Sequence, residues 1–66
     1  MSKAYSKAEL KALYELIIKN GHLTYQSSAA LENAYFEKTG VHRASGALYM
    51  AAWRLERGYY DAILSA

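Results

Sequence analysis

Residues 35–48 read Tyr35-Phe36-Glu37-Lys38-Thr39-Gly40-Val41-His42-Arg43-Ala44-Ser45-Gly46-Ala47-Leu48. One helical pattern stops at Thr39-Gly40, and another starts at Ala44 or Ser45 a few residues later. Glycine at position 40 supplies the left-handed backbone that ends a helix. Val41 is an apolar plug for the corner. Two helices joined by so short a turn follow the grammar of a helix-turn-helix. The expected fold is all-α: a three-helix bundle in one domain, with helices at about 7–19, 27–38 and 44–57.

The preceding helix carries the clearest start signal. Ser6-Lys7-Ala8-Glu9 fits a capping box, and Tyr5 and Leu10 occupy the two positions of a hydrophobic staple. Leu10, Leu13, Tyr14 and Ile17 recur at i, i+3, i+4, i+7, with Leu16 and Ile18 widening the stripe. Lys11, Glu15 and Lys19 alternate in sign on the opposite, solvated face. Asn20-Gly21 is a stop signal. In the connection that follows, Leu23 and Tyr25 are candidate anchors, and Thr24, Ser27 and Ser28 are candidate caps for helix 2. Leu31, Ala34, Tyr35 and Lys38 share one face of that helix. On helix 3, Leu48, Ala51, Ala52 and Leu55 form one face, and Gly46, Tyr49, Met50, Trp53 and Arg57 form the other. The apolar tail Tyr59–Leu64 is either a final helical turn over the core or a segment that orders on association.

Composition agrees with this reading. The 66 residues contain no proline, 12 alanines and eight leucines, a helix-forming mixture. A chain this short buries only roughly 60% of its unfolded surface. It has no cysteine, so no disulfide or thiolate zinc site supports it. No apolar run approaches the roughly 20 residues of a membrane span. The expectation is a soluble protein of the bacterial cytoplasm or nucleoid, with no membrane partner and no cofactor.

Catalysis is not expected. Sixty-six residues can hardly enclose a substrate pocket of roughly 300–1,000 Å³. No Ser-His-Asp set, paired carboxylates, phosphate loop or zinc spacing appears. His22 and His42 stand far apart and without companions, which argues against a metal site. The net charge of +2 permits nucleic-acid binding without demanding it.

The stretch Thr39–Leu48, followed by Trp53-Arg54-Leu55, resembles the last two helices of small Myb/SANT-like helix-turn-helix domains. Tyr5-Ser6-Lys7-Ala8-Glu9 with Leu10 and Leu13 is similar to the family's first helix. The resemblance spans residues 5–58. It implies a third helix that enters the DNA major groove. Carried over position by position, Arg43 and Ser45 would meet phosphates, and Tyr49 and Trp53 would face the groove. Arg57 would lie on the same stripe, and Lys38 would touch flanking phosphates. His42, beside Arg43, is a further candidate phosphate contact.

Helix 3 departs from a DNA reader in one respect. Base edges are usually read by Arg, Lys, Asn or Gln, whereas the outer face here is Tyr49, Met50 and Trp53. Two functions are therefore expected. The first is a small bacterial or phage transcriptional regulator that binds double-stranded DNA as a homodimer. The second is a phage-encoded protein-binding module or inhibitor that docks Tyr49, Met50, Trp53, Tyr59 and Tyr60 on a host protein.

Overall fold

The computed structural model describes residues 4–22 and 24–65, which form four α-helices and one π-helical segment. Helix α1 spans Lys7–Leu13, α2 Ser28–Thr39, α3 Ser45–Glu56 and α4 Asp61–Ser65. The capping box at the start of α1 is present. Ser6 Oγ accepts from the Glu9 amide at 3.2 Å, and Glu9 Oε1 accepts from the Ser6 amide at 3.1 Å.

The 3.6-residue period predicts one α-helix over 7–19, but its second half is π-helical. Over Tyr14–Ile18 the helix widens, and the Lys19 amide donates to the Tyr14 carbonyl at 2.8 Å. Carbonyls in the last turn of a helix lack partners within it, and here the following loop supplies some. The Tyr25 hydroxyl donates to the Leu16 carbonyl at 3.1 Å, and Asn20 Nδ2 donates to the Glu15 carbonyl at 3.4 Å. Leu23, the other expected anchor of this loop, lies outside the described residues.

Of the three candidate caps of helix α2, Ser27 is the one used. Ser27 Oγ accepts from the Ala30 amide at 3.2 Å. It ends as the glycine predicts: Gly40 has φ 73°, and its amide donates to the Phe36 carbonyl at 2.7 Å. Thr39 Oγ1 donates to the Tyr35 carbonyl and accepts from the Val41 amide, which fixes the corner. Val41 packs against the core from there. The tail is helical, and Ile63 and Leu64 of α4 pack partly buried over the core. Among the described residues, no helix is long and apolar enough to cross a membrane.

The core is Leu10, Ala12, Leu13, Ile17, Leu31, Tyr35, Leu48, Ala51 and Ala52. The inner face of α3 is the expected one, with Leu55 at its margin. Ala51 and Ala52 are small enough to let α3 approach closely. Tyr14 departs from the expected stripe and is 48% exposed. Glu9 explains the difference: its carboxylate is on the inside, so the buried arc of α1 is turned toward Glu9 and Ala12.

That carboxylate accepts four hydrogen bonds on its two oxygens. Oε2 takes the Tyr35 hydroxyl at 2.7 Å and Arg43 Nε at 2.6 Å. Oε1 takes Arg43 Nη2 at 3.2 Å and the Ser6 amide at 3.1 Å. Arg43 lies over the Tyr5 ring, 3.9 Å from its centroid, and Nη2 also donates to the Ala4 carbonyl at 3.2 Å. One ion pair thus joins the N-terminus of α1, the middle of α2 and the turn before α3. Burial pushes the Glu9 carboxyl up, but the bonds from Arg43, Tyr35 and Ser6 outweigh it and lower its pKa from 4.5 to about 2. The Tyr35 hydroxyl is driven well above its ordinary range, first by burial and then by its bond to Glu9.

Removing one partner of a buried pair leaves the other charge uncompensated, at a cost of roughly 3–5 kcal/mol. Arg43→Met should therefore lose about 3 kcal/mol in urea denaturation at pH 7. The pH dependence follows from the depressed carboxyl. Between about pH 4.5 and 2 the unfolded chain holds a proton on Glu9 that the folded chain does not. Stability from this group is complete above pH 4.5 and falls as pH drops toward 2, by about 3 kcal/mol in all. Thermal melts followed by circular dichroism from pH 6 to 2 should show that loss. Glu9→Gln should start lower at pH 6 and fall less.

Candidate functional site

The turn before α3 and the first turn of α3 hold the residues expected to meet phosphate. Arg43 is committed to Glu9, and the side chains of this pair are only 9% and 8% exposed. Ala44 caps α3 without a side-chain bond. The cap comes instead from α2: Glu32 Oε2 accepts from the Ser45 amide at 2.8 Å. A helix N-terminus favours an anion, and here a carboxylate of the same chain already occupies it. His42 stacks flat on Phe36, with ring centroids 4.0 Å apart and planes 12° apart. Lys38 is exposed on the last turn of α2. The expected phosphate contacts are therefore divided. Lys38 and His42 lie at the surface, while Arg43 and the Ser45 amide are held by acids.

The outer face of α3 gathers a different set. Tyr49, Met50 and Trp53 line an open apolar groove of about 430 Å³. Met50 is 50% exposed and Trp53 44%. Tyr49 is half-buried, because its hydroxyl accepts from the Tyr25 amide at 3.1 Å and ties the loop before α2 to α3. The Arg57 guanidinium lies over the Trp53 ring, 4.2 Å from its centroid. The Tyr59 ring meets Trp53 edge-on at 6.1 Å. Trp53 is thus held in one orientation by a cation on its face and a ring at its edge, yet it stays open to solvent. Such contacts contribute roughly 0.5–1.5 kcal/mol each.

Tyr60 does not join this group. Its ring is tilted against Tyr5 at 5.9 Å, and it lines a second recess of about 190 Å³ with Arg43, Met50 and Arg54. Met50 is the wall shared by the two hollows. Of the charges on α3, Glu56 is 2.8 Å from His22 Nε2. No hydrogen bond or ion pair engages the Arg54 side chain among the described residues.

Sequence reading places Tyr49, Met50, Trp53 and Arg57 on one face, and they share it here. It groups Tyr35 with Leu31, and both are buried, but it misses the inward role of Glu9, the bond between Tyr35 and Glu9, the Glu32 cap and the recess at Arg54. Glu9 stands out in the sequence only as a capping residue. Glu32 and Ser45 are 13 residues apart on different helices, and no local pattern links them. No protein-family model matches this chain, and neither a curated protein nor a solved structure matches it.

The Glu32 cap makes a direct prediction. Glu32→Ala removes the acceptor of the Ser45 amide and should cost about 1 kcal/mol of stability. The loss should shrink in 1 M salt, read as a narrowing gap between variant and parent urea midpoints.

Proposed function

We propose that the chain is a protein-binding module that docks through the outer face of α3. In this reading α2, the Gly40 turn and α3 form a helix-turn-helix that holds this face rigid. The observation that carries the proposal is the open groove of Tyr49, Met50 and Trp53. Three large apolar side chains converge at the surface of a small domain, and the tryptophan is fixed by Arg57 and Tyr59. Exposed aromatic and methionine side chains are the common anchors of protein interfaces.

The DNA-regulator reading draws less support. It asks the turn and first turn of α3 to receive phosphates, and both carry carboxylates, Glu9 and Glu32, already bonded to Arg43 and the Ser45 amide. A phosphate would have to displace these acids or sit beside them. Around the turn and α3, Lys38, His42, Arg54 and Arg57 remain for DNA, a small set for an interface whose affinity comes mainly from phosphate neutralisation.

Trp53 is the only tryptophan of the chain, so its fluorescence reports on this face directly. Selection of peptides from a displayed random 12-residue library should yield binders that shift Trp53 emission to shorter wavelength. Trp53→Ala should abolish their capture and cost about 1–3 kcal/mol of folding stability, the sum of its contacts with Arg57 and Tyr59, with the helical circular dichroism of the parent retained. Mixed-sequence duplex DNA at 50 mM salt should leave the emission unchanged. DNA binding that is steeply salt-dependent, with no Trp53-dependent peptide recovered, overturns the proposal in favour of the regulator. Emission that shifts with protein concentration alone assigns the face to a homodimer.

A further inference from the structure

The second recess borders the docking groove and has a different chemistry. Ala47, Met50, Ala51 and Arg54 recur at i, i+3, i+4, i+7 along α3, one edge round from the stripe of Met50, Trp53 and Arg57. Tyr5, Arg43 and Tyr60 close the recess from the N-terminus, the turn and the segment before α4. Among the described residues, no carboxylate lines it. Arg43 has its charge balanced by Glu9, and the Tyr5 hydroxyl donates to the Ala47 carbonyl at 3.3 Å. Arg54 and the Tyr60 hydroxyl have no hydrogen-bond partner among the described residues. The recess therefore offers an uncompensated cation and a phenol donor, in a volume sized for one side chain rather than for a whole small-molecule ligand.

We infer that the partner of this face is a protein segment carrying an apolar anchor for the Tyr49–Met50–Trp53 groove. Beside that anchor it carries a glutamate or aspartate whose carboxylate enters the recess at Arg54 and Tyr60. This rests on the protein-docking reading and names the chemistry of the partner. Charge complementarity selects it. Arg54 and Arg57 flank the groove, while the acid of α3, Glu56, is held by His22. Arginine receives a carboxylate through two parallel N–H bonds, which adds direction to attraction.

The same charges disfavour a second copy of the chain as occupant. A two-fold pairing through α3 brings Arg54 and Arg57 of both copies to one seam.

The test uses the full chain and peptides recovered from a displayed random 12-residue library, then synthesised. An aspartate or glutamate should recur within about one helical turn of the apolar anchor. Changing that acid to its amide should weaken binding about tenfold on the parent chain and leave it unchanged on Arg54→Ala. Arg54→Glu should prefer lysine at the same position, which no loss of folding can mimic. Peptides that need Trp53 but bind Arg54→Ala as tightly as the parent overturn this inference and leave the docking reading standing. Recovery of no Trp53-dependent peptide overturns both. Duplex DNA that binds more tightly than any peptide and depends on Arg54 also overturns it.

Discussion

The Glu9 carboxylate is the constraint on which the rest of the molecule is arranged. A buried carboxylate is tolerated only when its lone pairs are matched by donors. Glu9 finds four donated bonds, from the cap of α1, from α2 and from the turn before α3. Each donor belongs to a different part of the chain, so the pair fixes their mutual placement. A core of nine mostly small or aliphatic residues among those described has a limited capacity to specify angles between helices by packing alone. The directional bonds to Glu9 supply specificity that apolar contacts lack. They also turn α1 so that Ala12 goes inward and Tyr14 is left half in water.

This constraint bears on function through the charges it removes from the surface. A turn carrying His42, Arg43 and Ser45 looks in sequence like an anion-binding corner. In the folded chain its arginine is spent on Glu9, and the amide at the start of α3 is spent on Glu32. Internal carboxylates have taken both places where an external phosphate would gain most. Polarity available to a partner is shifted along α3 to Arg54 and Arg57. There it adjoins methionine and tryptophan rather than other cations.

The sequence was most legible where structure is decided locally. The capping box, the Ser27 cap, the Gly40 stop and the inner face of α3 depend on residues within a few positions of each other. Periodicity reports them directly. It was least legible where a residue's partner is distant in the chain. Glu9 pairs with a residue 34 positions away, and its sequence context shows only a helix cap. The π-helical widening at Tyr14–Ile18 is also silent in periodicity, since its displaced carbonyls are met by Asn20 and Tyr25 in the next loop. The outer face of α3 lies between these cases. Helical spacing collects Tyr49, Met50, Trp53 and Arg57 but says nothing of Tyr60, which turns away to Tyr5. Nor does it show that Arg54 opens onto a recess.

On the docking proposal, the arrangement at Trp53 links stability to recognition. An exposed tryptophan left mobile would lose rotational freedom on binding, and that cost subtracts from affinity. Here Arg57 covers one face of the ring and Tyr59 meets its edge, so much of that ordering is already present in the free chain. Tyr49 does the same for the loop before α2 by accepting from the Tyr25 amide. Trp53 is therefore held by contacts outside the core, while Tyr49 also packs against that core. The shape of the groove can be altered at Arg57 or Tyr59 without disturbing the Glu9 pair. The ion pair fixes the scaffold from inside, and on the outer side of α3 Tyr49 adds a bond to the loop before α2 while Met50 and Trp53 stay exposed.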